Sequence, residues 1–365
     1  MSHFTSVNFK DENGTSYGIK HVDNKPRVSS MSYLYDIAEG KVSGHTLWSK
    51  IGYNPAVATT EEDVWSYGGT YTFPATPQKM EVLSSSATAD ADIGTILFDA
   101  TCDVGGTTTT MLDAGVDFTA TAAVNDYIII EKAGTTPEWG IITGVANGSL
   151  TFAGGLSSGG SCATARTYQV LDSSAAKGAM AIKIDYLDST YAAKTEIIIL
   201  NTTTAVDTVA TDIFRINSFK VIAVGTKATP TNATIGNLTI RGDGGGGIFS
   251  YITAGFTTSR NIVYTVPLGK TLYVTHVSVG ASTPNDSKVQ TCRIFTRANA
   301  EPTTKFIGAG SIFYTYSELL ISNTSQDFEL TSPTKLNEKT DIKVSASGLT
   351  AFSGPVMAIL RGWIE

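Results

Sequence analysis

The sequence is short of charge. Lys, Arg, Asp and Glu make up 16% of its 365 residues, against roughly 25% in an average soluble domain. Long amphipathic helices draw their exposed faces from Glu, Lys and Arg, so a mainly helical chain is excluded. Thr, Ser, Ala and Gly take up the difference, which suits strands and turns. Positive charge is scarcest, and the net charge of −7 excludes a general affinity for nucleic-acid phosphates. Cysteine is nearly absent. Cys102, Cys162 and Cys292 lie far apart, are odd in number and form no C-x-x-C pair. A disulfide framework is thereby excluded, and three neutral thiols of a reducing cytoplasm are expected.

Histidine is equally sparse. His3, His21, His45 and His276 fall in neither an H-E-x-x-H motif nor a Cys/His zinc spacing. No apolar run approaches the ~18 residues of a membrane span, and no charged-then-apolar leader opens the chain. The longest runs, such as "EIIIL" around Ile197, are strand-sized. No G-x-S-x-G elbow occurs, nor any paired-carboxylate signature. Glu61, Glu62 and Asp63 are adjacent, and neighbours in extended chain point apart, so they read as a solvated turn. Asp90-Ala-Asp92-Ile-Gly94 lacks the third carboxylate of a calcium loop and its glycine comes early; it too reads as a turn. No catalytic, cofactor-binding or metal-ligating residue is assigned. A non-enzymatic protein without cofactor, nucleic acid or membrane partner is expected.

One stretch imitates a nucleotide site. "YTVPLGKTLYV", Tyr264 to Val274, contains the Gly-Lys-Thr that ends a phosphate loop. Such a loop needs Gly five positions earlier, where Tyr264 stands, and Pro267 offers no N–H to a phosphate. The following "LYVTHVSVGA" alternates as a strand, whereas a phosphate loop opens a helix. Gly269-Lys270-Thr271 is therefore expected to be a turn between strands.

The same stretch is half of a repeat. "YTFPATPQKMEVLSSSAT" from Tyr71 is echoed by "YTVPLGKTLYVTHVSVGAS" from Tyr264. "TDIFRIN" from Thr211 is echoed by "TDIKVSA" from Thr340, and "NLTIRGD" from Asn237 by "MAILRGW" from Met357. The last two echoes lie at nearly equal offsets, and the first lies much further on. Two copies of one β domain, the first interrupted by a guest, account for that step. The expected fold is all-β: two related antiparallel, jelly-roll-like β-sandwiches. The first sandwich takes residues 61–94 and 175–243. A small inserted β-barrel takes 95–174, the second sandwich 248–365, and an extended arm 1–60.

Within the insert, "DYIIIEKA", "EWGIITGV", "SLTFAGG" and "TYQVLD" read as short strands. Asn147-Gly148 reads as a two-residue hairpin turn, and closure into a barrel would leave no bare edge. Trp139 is either a core aromatic or an exposed ligand contact. The glycine-rich "RGDGGGG", Arg241 to Gly247, reads as the hinge between the copies. Its Arg-Gly recurs at Arg361-Gly362, so Arg-Gly-Asp is taken as structural. The arm carries Tyr33, Tyr35, Trp48 and Tyr53 without a steady period. Large apolar groups lacking a core of their own point to subunit contacts, and removal of residues 1–55 is expected to leave the sandwiches folded. Should the protein instead bind sugar, Trp139, Tyr314 and Tyr316 are the candidate ligand contacts.

"GHTLWSKIGYNPAV", "EEDVWSYGGTYTFP", "KIDYLDSTYAAKTEIIILN" and "TDIFRINSFKVIAVGT" together resemble virion structural proteins of tailed bacteriophages. The likeness runs over residues 30–240 and continues to the C-terminus. It implies a homo-oligomeric β-sandwich protein of the virion, made in the host bacterial cytoplasm. The implied place is the capsid, as a decoration, vertex or head-fibre protein; the alternative is a tail, neck or receptor-binding module. Its partners would be copies of itself, a major capsid or tail protein and a host-surface glycan. The insert is where the chain departs from the shorter pattern, and guest modules of this kind face outward.

Overall fold

The computed structural model describes residues 33–90, 96–134, 137–152, 154–174, 177–225, 234–282, 289–299, 313–322, 324–349 and 353–365. It also describes four short N-terminal strands, β1 (Phe9–Lys10), β2 (Ser16–Tyr17), β3 (Lys20–Val22) and β4 (Lys25–Arg27), paired as β1–β2 and β3–β4. A short helix α1 (Tyr33–Ala38) precedes β5 (Thr46–Val57), β6 (Glu62–Asp63) and β7 (Met80–Ser84).

The next strands form the insert: β8 (Ile96–Thr101), β9 (Thr110–Asp117), β10 (Tyr127–Ile130), β11 (Ala133–Gly134), β12 (Glu138–Ile141), β13 (Gly144–Thr151) and β14 (Thr167–Leu171). After it come β15 (Ala179–Leu187), β16 (Ala193–Ile199), β17 (Val206–Asp207), β18 (Arg215–Val224), β19 (Leu238–Gly242) and β20 (Ile248–Ile252). The chain ends in β21 (Tyr264–Thr265), β22 (Leu272–Ala281), β23 (Gln290–Ala298), β24 (Tyr314–Ile321), β25 (Ser325–Leu336), β26 (Thr340–Gly348) and β27 (Gly354–Ile364). The fold is all-β with antiparallel pairing in every ladder, as expected of sandwiches.

Two sheet pairs follow one plan. The first sandwich sets β17-β7-β19-β20 against β11-β16-β15-β18, and the second sets β25-β22-β27-β5 against β21-β26-β23-β24. Strand for strand, β7, β15, β16, β17, β18 and β19 correspond to β22 through β27. The echoed phrases occupy matching places: "RIN" and "KVSA" on β18 and β26, "LTIRG" and "AILRGW" on β19 and β27. Met80, Val82, Ile182, Ile184, Phe219, Leu238 and Ile240 build the first core. Leu272, Val274, Val277, Val279, Ile294, Val344 and Leu360 build the second. In β22 the inward positions skip a beat between Val274 and Val277, because the ladder slips at Thr275. That bulge explains an apolar period that alternation alone does not fit.

Several sequence expectations are corrected. Arg241–Gly247 is no hinge; it is the hairpin joining β19 to β20, closed by Gly242 N–H to Gly247 C=O at 3.0 Å. Gly244 and Gly245 supply the positive φ that the turn requires. Asn147-Gly148 is no turn either. It lies inside β13, where Gly148 takes φ of 72° and the pairing with β9 slips. The insert does not close into a barrel: β12-β10-β14-β8 is an open sheet, and β9 pairs with β13. Its core holds Met111, Phe118, Ile130, Phe152 and Tyr168. It is docked as well as tethered, since Ile129 and Leu171 pack on Met180, Ile197 and Ile199 of the first sandwich. Gly269-Lys270-Thr271 is the turn expected, with Lys270 N–H on Pro267 C=O.

The arm divides. Thr46–Val57 is an intramolecular edge strand, paired with β27 from Val57–Gly354 to Thr46–Ile364. It takes in the second sandwich the place that β20 takes in the first. β6 likewise pairs with β26. Segments leading into one copy thus complete the sheets of the other.

Candidate interaction surfaces and the inter-sandwich cleft

The copies are joined through a buried carboxylate. Asp341 of β26 has no exposed surface and receives Arg215 Nε from β18 at 3.1 Å and Arg297 Nε from β23 at 3.0 Å. Arg215 also donates to Pro74 C=O, and its guanidinium lies 4.0 Å from the Phe214 ring centroid. Asn217 exchanges side-chain hydrogen bonds with the Thr265 backbone, tying β18 to β21. Around this network Trp65, Tyr71, Phe73 and Val263 form an aromatic seam. Asp63 is also buried, contrary to the solvated turn expected. It accepts from Tyr71 N–H at 2.6 Å and from Lys343 at 2.9 Å, because the β6–β26 ladder turns it inward.

Beside the seam lies a cleft of about 660 Å³ between β5, the ends of β15 and β16, and residues 258–260. It contains Lys50, Lys194 and Arg260, none of which forms an ion pair with a described acid. Lys50 is half-buried, and its loss of water pushes the ammonium down to about 8, against a weaker opposing pull from Asp185. Asp185 is already engaged by Lys183 at 2.8 Å and by the Thr195 hydroxyl at 2.9 Å. Arg260 lies between two rings, 4.4 Å from Tyr53 and 3.8 Å from Phe256. Burial holds its guanidinium below the ordinary value, with Tyr53 opposing. Trp48 stands edge-on to Tyr264 at 5.1 Å and forms part of the cleft wall.

The far edges of the sandwiches differ. In the first, edge strand β16 is covered by the insert, with Ala133 opposite Glu196 and Ile197 N–H on Lys132 C=O at 2.7 Å. In the second, the corresponding β24 has no partner beyond β23 among the described residues. It exposes Tyr314, Tyr316 and Leu320, and its one charge, Glu318, is tied to Arg293 at 3.0 Å. Next to it, β25 carries Asp327, Glu329, Pro333 and Lys335, residue types that guard an edge against pairing. Between β24 and β25 is an apolar pocket of about 100 Å³, flanked by Ile294, Tyr316, Phe328 and Leu330. The Tyr316 hydroxyl meets Thr334 across its mouth.

The candidate residues chosen from sequence scatter. Tyr33 opens α1, and its side chain lies outside the described residues. Tyr35 is exposed beside Lys41, while Trp48 and Tyr53 of β5 face the cleft or its rim inside their own chain. Trp139 is half-buried where the insert meets the first sandwich, under Lys183 and Lys220. Tyr314 and Tyr316 are both exposed on edge strand β24. Sequence reasoning missed Lys50, Arg260 and Asp341, which distant segments bring into place. Of the stretch read as a turn, Asp90 is a buried acceptor of the Ala179, Ile235 and Gly236 N–H groups at the insert's base, while Asp92 and Gly94 lie outside the described residues. All three thiols are buried and unpaired. Burial pushes Cys162 up to about 11 and Cys292 up to about 12, so neither is a ready nucleophile.

No family model and no curated protein matches the chain. Among the solved structures that align with it are infectious bursal disease virus, Gt strain, and T=1 particles derived from infectious bursal virus. The first is 11% identical over 88% of this chain and 74% of that one, with a TM-score of 0.13. The second is 9% identical over 88% and 73%, with a TM-score of 0.12. At those scores neither likeness bears on fold or function.

Proposed function

We propose that this chain is a non-enzymatic structural component of a tailed-phage virion, set on the capsid as a decoration, vertex or head-fibre protein. Its partners are further copies of itself and a major capsid or tail protein. The viral placement rests on the phrasing it shares with phage structural proteins. The observation that carries assembly is β24: an edge strand without proline, whose one charge, Glu318, is neutralised by Arg293, and which bears exposed Tyr314, Tyr316 and Leu320. Such an edge is a template for another strand, and aromatic side chains are enriched at interface cores. A buried joint, with Asp341 accepting from Arg215, Arg297 and Thr265, suits a part that must persist without turnover.

The mass of the purified chain tests this reading. It should sediment as a discrete oligomer, and Leu320→Lys should sediment as a folded monomer and be lost from particles. A wild-type chain that stays monomeric and joins particles only through residues away from β24 would overturn the assembly reading. Particle composition then tests the placement: co-purification with capsid shells and absence from isolated tails are expected.

A further inference from the structure

We propose that the cleft between the two sandwiches binds an acidic saccharide. This goes beyond the assembly reading and does not depend on it, since β24 lies on a different edge.

A cation removed from water without an acid partner carries an uncompensated cost. Half-buried Lys50 is such a cation, and the carboxylate that lines the same cleft, Asp185, is held by Lys183 and Thr195. Arg260 is a second. Its plane is fixed by Tyr53 and Phe256, so it is oriented without a carboxylate. Lys194 stands exposed at the rim. Three cations at one opening, none in an ion pair with a described acid, outnumber the one carboxylate of the lining, Asp185, and in a chain of net charge −7 they set a local field that draws anions. The fixed guanidinium suits a carboxylate or sulfate.

A lone inorganic ion would leave most of about 660 Å³ unfilled, a volume within the ordinary range of ligand pockets. The remaining wall offers hydroxyl groups and an aromatic ring, Ser49, Ser218 and Thr258 with Trp48, among aliphatic groups such as Ile51 and Leu187. Sugar rings present hydroxyls at their edges and C–H groups on their faces, and those need such partners. The structure therefore assigns the acid of the ligand to Lys50 and Arg260, and its rings to the Trp48 side.

Calorimetry on the full chain tests this with five probes: tetragalacturonate, a chondroitin sulfate tetrasaccharide, neutral maltotetraose, inorganic phosphate and a hexaglutamate peptide. At least one acidic tetrasaccharide should bind one to one. Binding should weaken with salt and as pH rises through about 8, where Lys50 loses its charge. Lys50→Ser and Arg260→Ala should each lose about tenfold or more in affinity. Lys50→Arg should keep most of it, and Tyr316→Ala should change nothing. Melting curves confirm that each variant is folded, and exposed Lys194→Ala supplies a variant that cannot disturb the core, with a smaller loss expected. The proposal fails if neither acidic saccharide binds, or if maltotetraose, phosphate or hexaglutamate binds as tightly as the better of the two. It fails equally if folded Lys50→Ser and Lys194→Ala both bind like the parent.

Discussion

The first sandwich is finished by its neighbours in sequence, and the second by chain from far away. In the first, β20 follows β19 through a five-residue glycine-rich turn, 243–247, and the insert covers β16. In the second, the place of β20 is taken by β5, almost the whole chain away from β27, and β24 has no partner beyond β23 among the described residues. One plan thus gives one edge that is sealed and one that is available. Equivalent strands do not imply equivalent duties; duty follows from what the rest of the chain lays against each edge.

The strongest way to break this comparison is to remove β5. Deleting residues 1–57 should abolish the cooperative unfolding of the second sandwich. Val57 alone contributes roughly 2 kcal/mol to the core, and β27 would lose its whole ladder. Limited proteolysis should then digest 264–365 and spare the insert. A truncated chain that melts like the parent would show that β5 is an accessory arm after all.

The echoed acids come next. Asp341 is fully buried against Arg215 and Arg297, whereas its counterpart Asp212 is exposed. Asp341→Asn should cost about 3–5 kcal/mol by leaving buried cations unpaired. Asp212→Asn should stay within about 0.5 kcal/mol. Urea midpoints of the two variants decide it, and equal effects would mean that the network is not the joint between the copies.

The echoed glycines should separate less widely. A Cβ on Gly362 would overlap the Tyr273 carbonyl oxygen, a backbone atom that cannot swing aside. A Cβ on Gly242 would meet the end of Gln78, 2.9 Å away, which can move. Gly362→Ala should cost about 3 kcal/mol and Gly242→Ala no more than about 1 kcal/mol. Thermal melts check both.

Much of this plan could be read from residues. The Arg-Gly echo marks the matching strands β19 and β27, and the Tyr-Thr-apolar-Pro echo stands ahead of the matching strands β7 and β22, because buried, alternating positions constrain sequence tightly. Local chemistry with two outcomes was misread. A positive φ at Asn-Gly serves a hairpin or a bulge, and a glycine run serves a hinge or a turn; only the ladder on either side distinguishes them. Asp63 looked solvated because its partners, Lys343 and Ser345, lie at the other end of the chain. The cleft was invisible for the same reason: Lys50, Asp185, Lys194 and Arg260 come from four separate segments. No local period brings them together.

The bare edge offers a prediction in association with little change in stability. Leu320→Lys places a charge on exposed β24 and should shift unfolding by no more than about 0.5 kcal/mol. It should weaken self-association by about 2 kcal/mol or more, as expected of a charge forced into an apolar contact. The matching strand β16 is already covered, so exposed Lys194→Glu should leave sedimentation unchanged. If both variants stay associated, the difference between the two edges has no consequence for assembly.

The smallest effect distinguishes the two completing strands. Lys50 of β5 sits opposite Leu360, and Ser250 of β20 sits opposite Ile240, the echoed position. The first sandwich thus places a neutral, buried side chain where the second places a cation. Lys50→Ser makes the two alike. In the folded chain the Lys50 ammonium titrates at about 8, below its ordinary value. Below pH 8 both folded and unfolded chains are protonated there, and the folded one carries the cost of a poorly hydrated charge. Between about 8 and the unfolded value the unfolded chain holds a proton that the folded chain has released, so parental stability rises with pH in that window. Lys50→Ser should therefore be more stable than the parent near pH 7, by about 1 kcal/mol once water reaching the half-buried amine is discounted. The gap should narrow towards pH 10. Urea midpoints for both proteins at pH 7 and pH 10 measure it, and parallel behaviour across that range would show that β5 and β20 tolerate their different residues equally well.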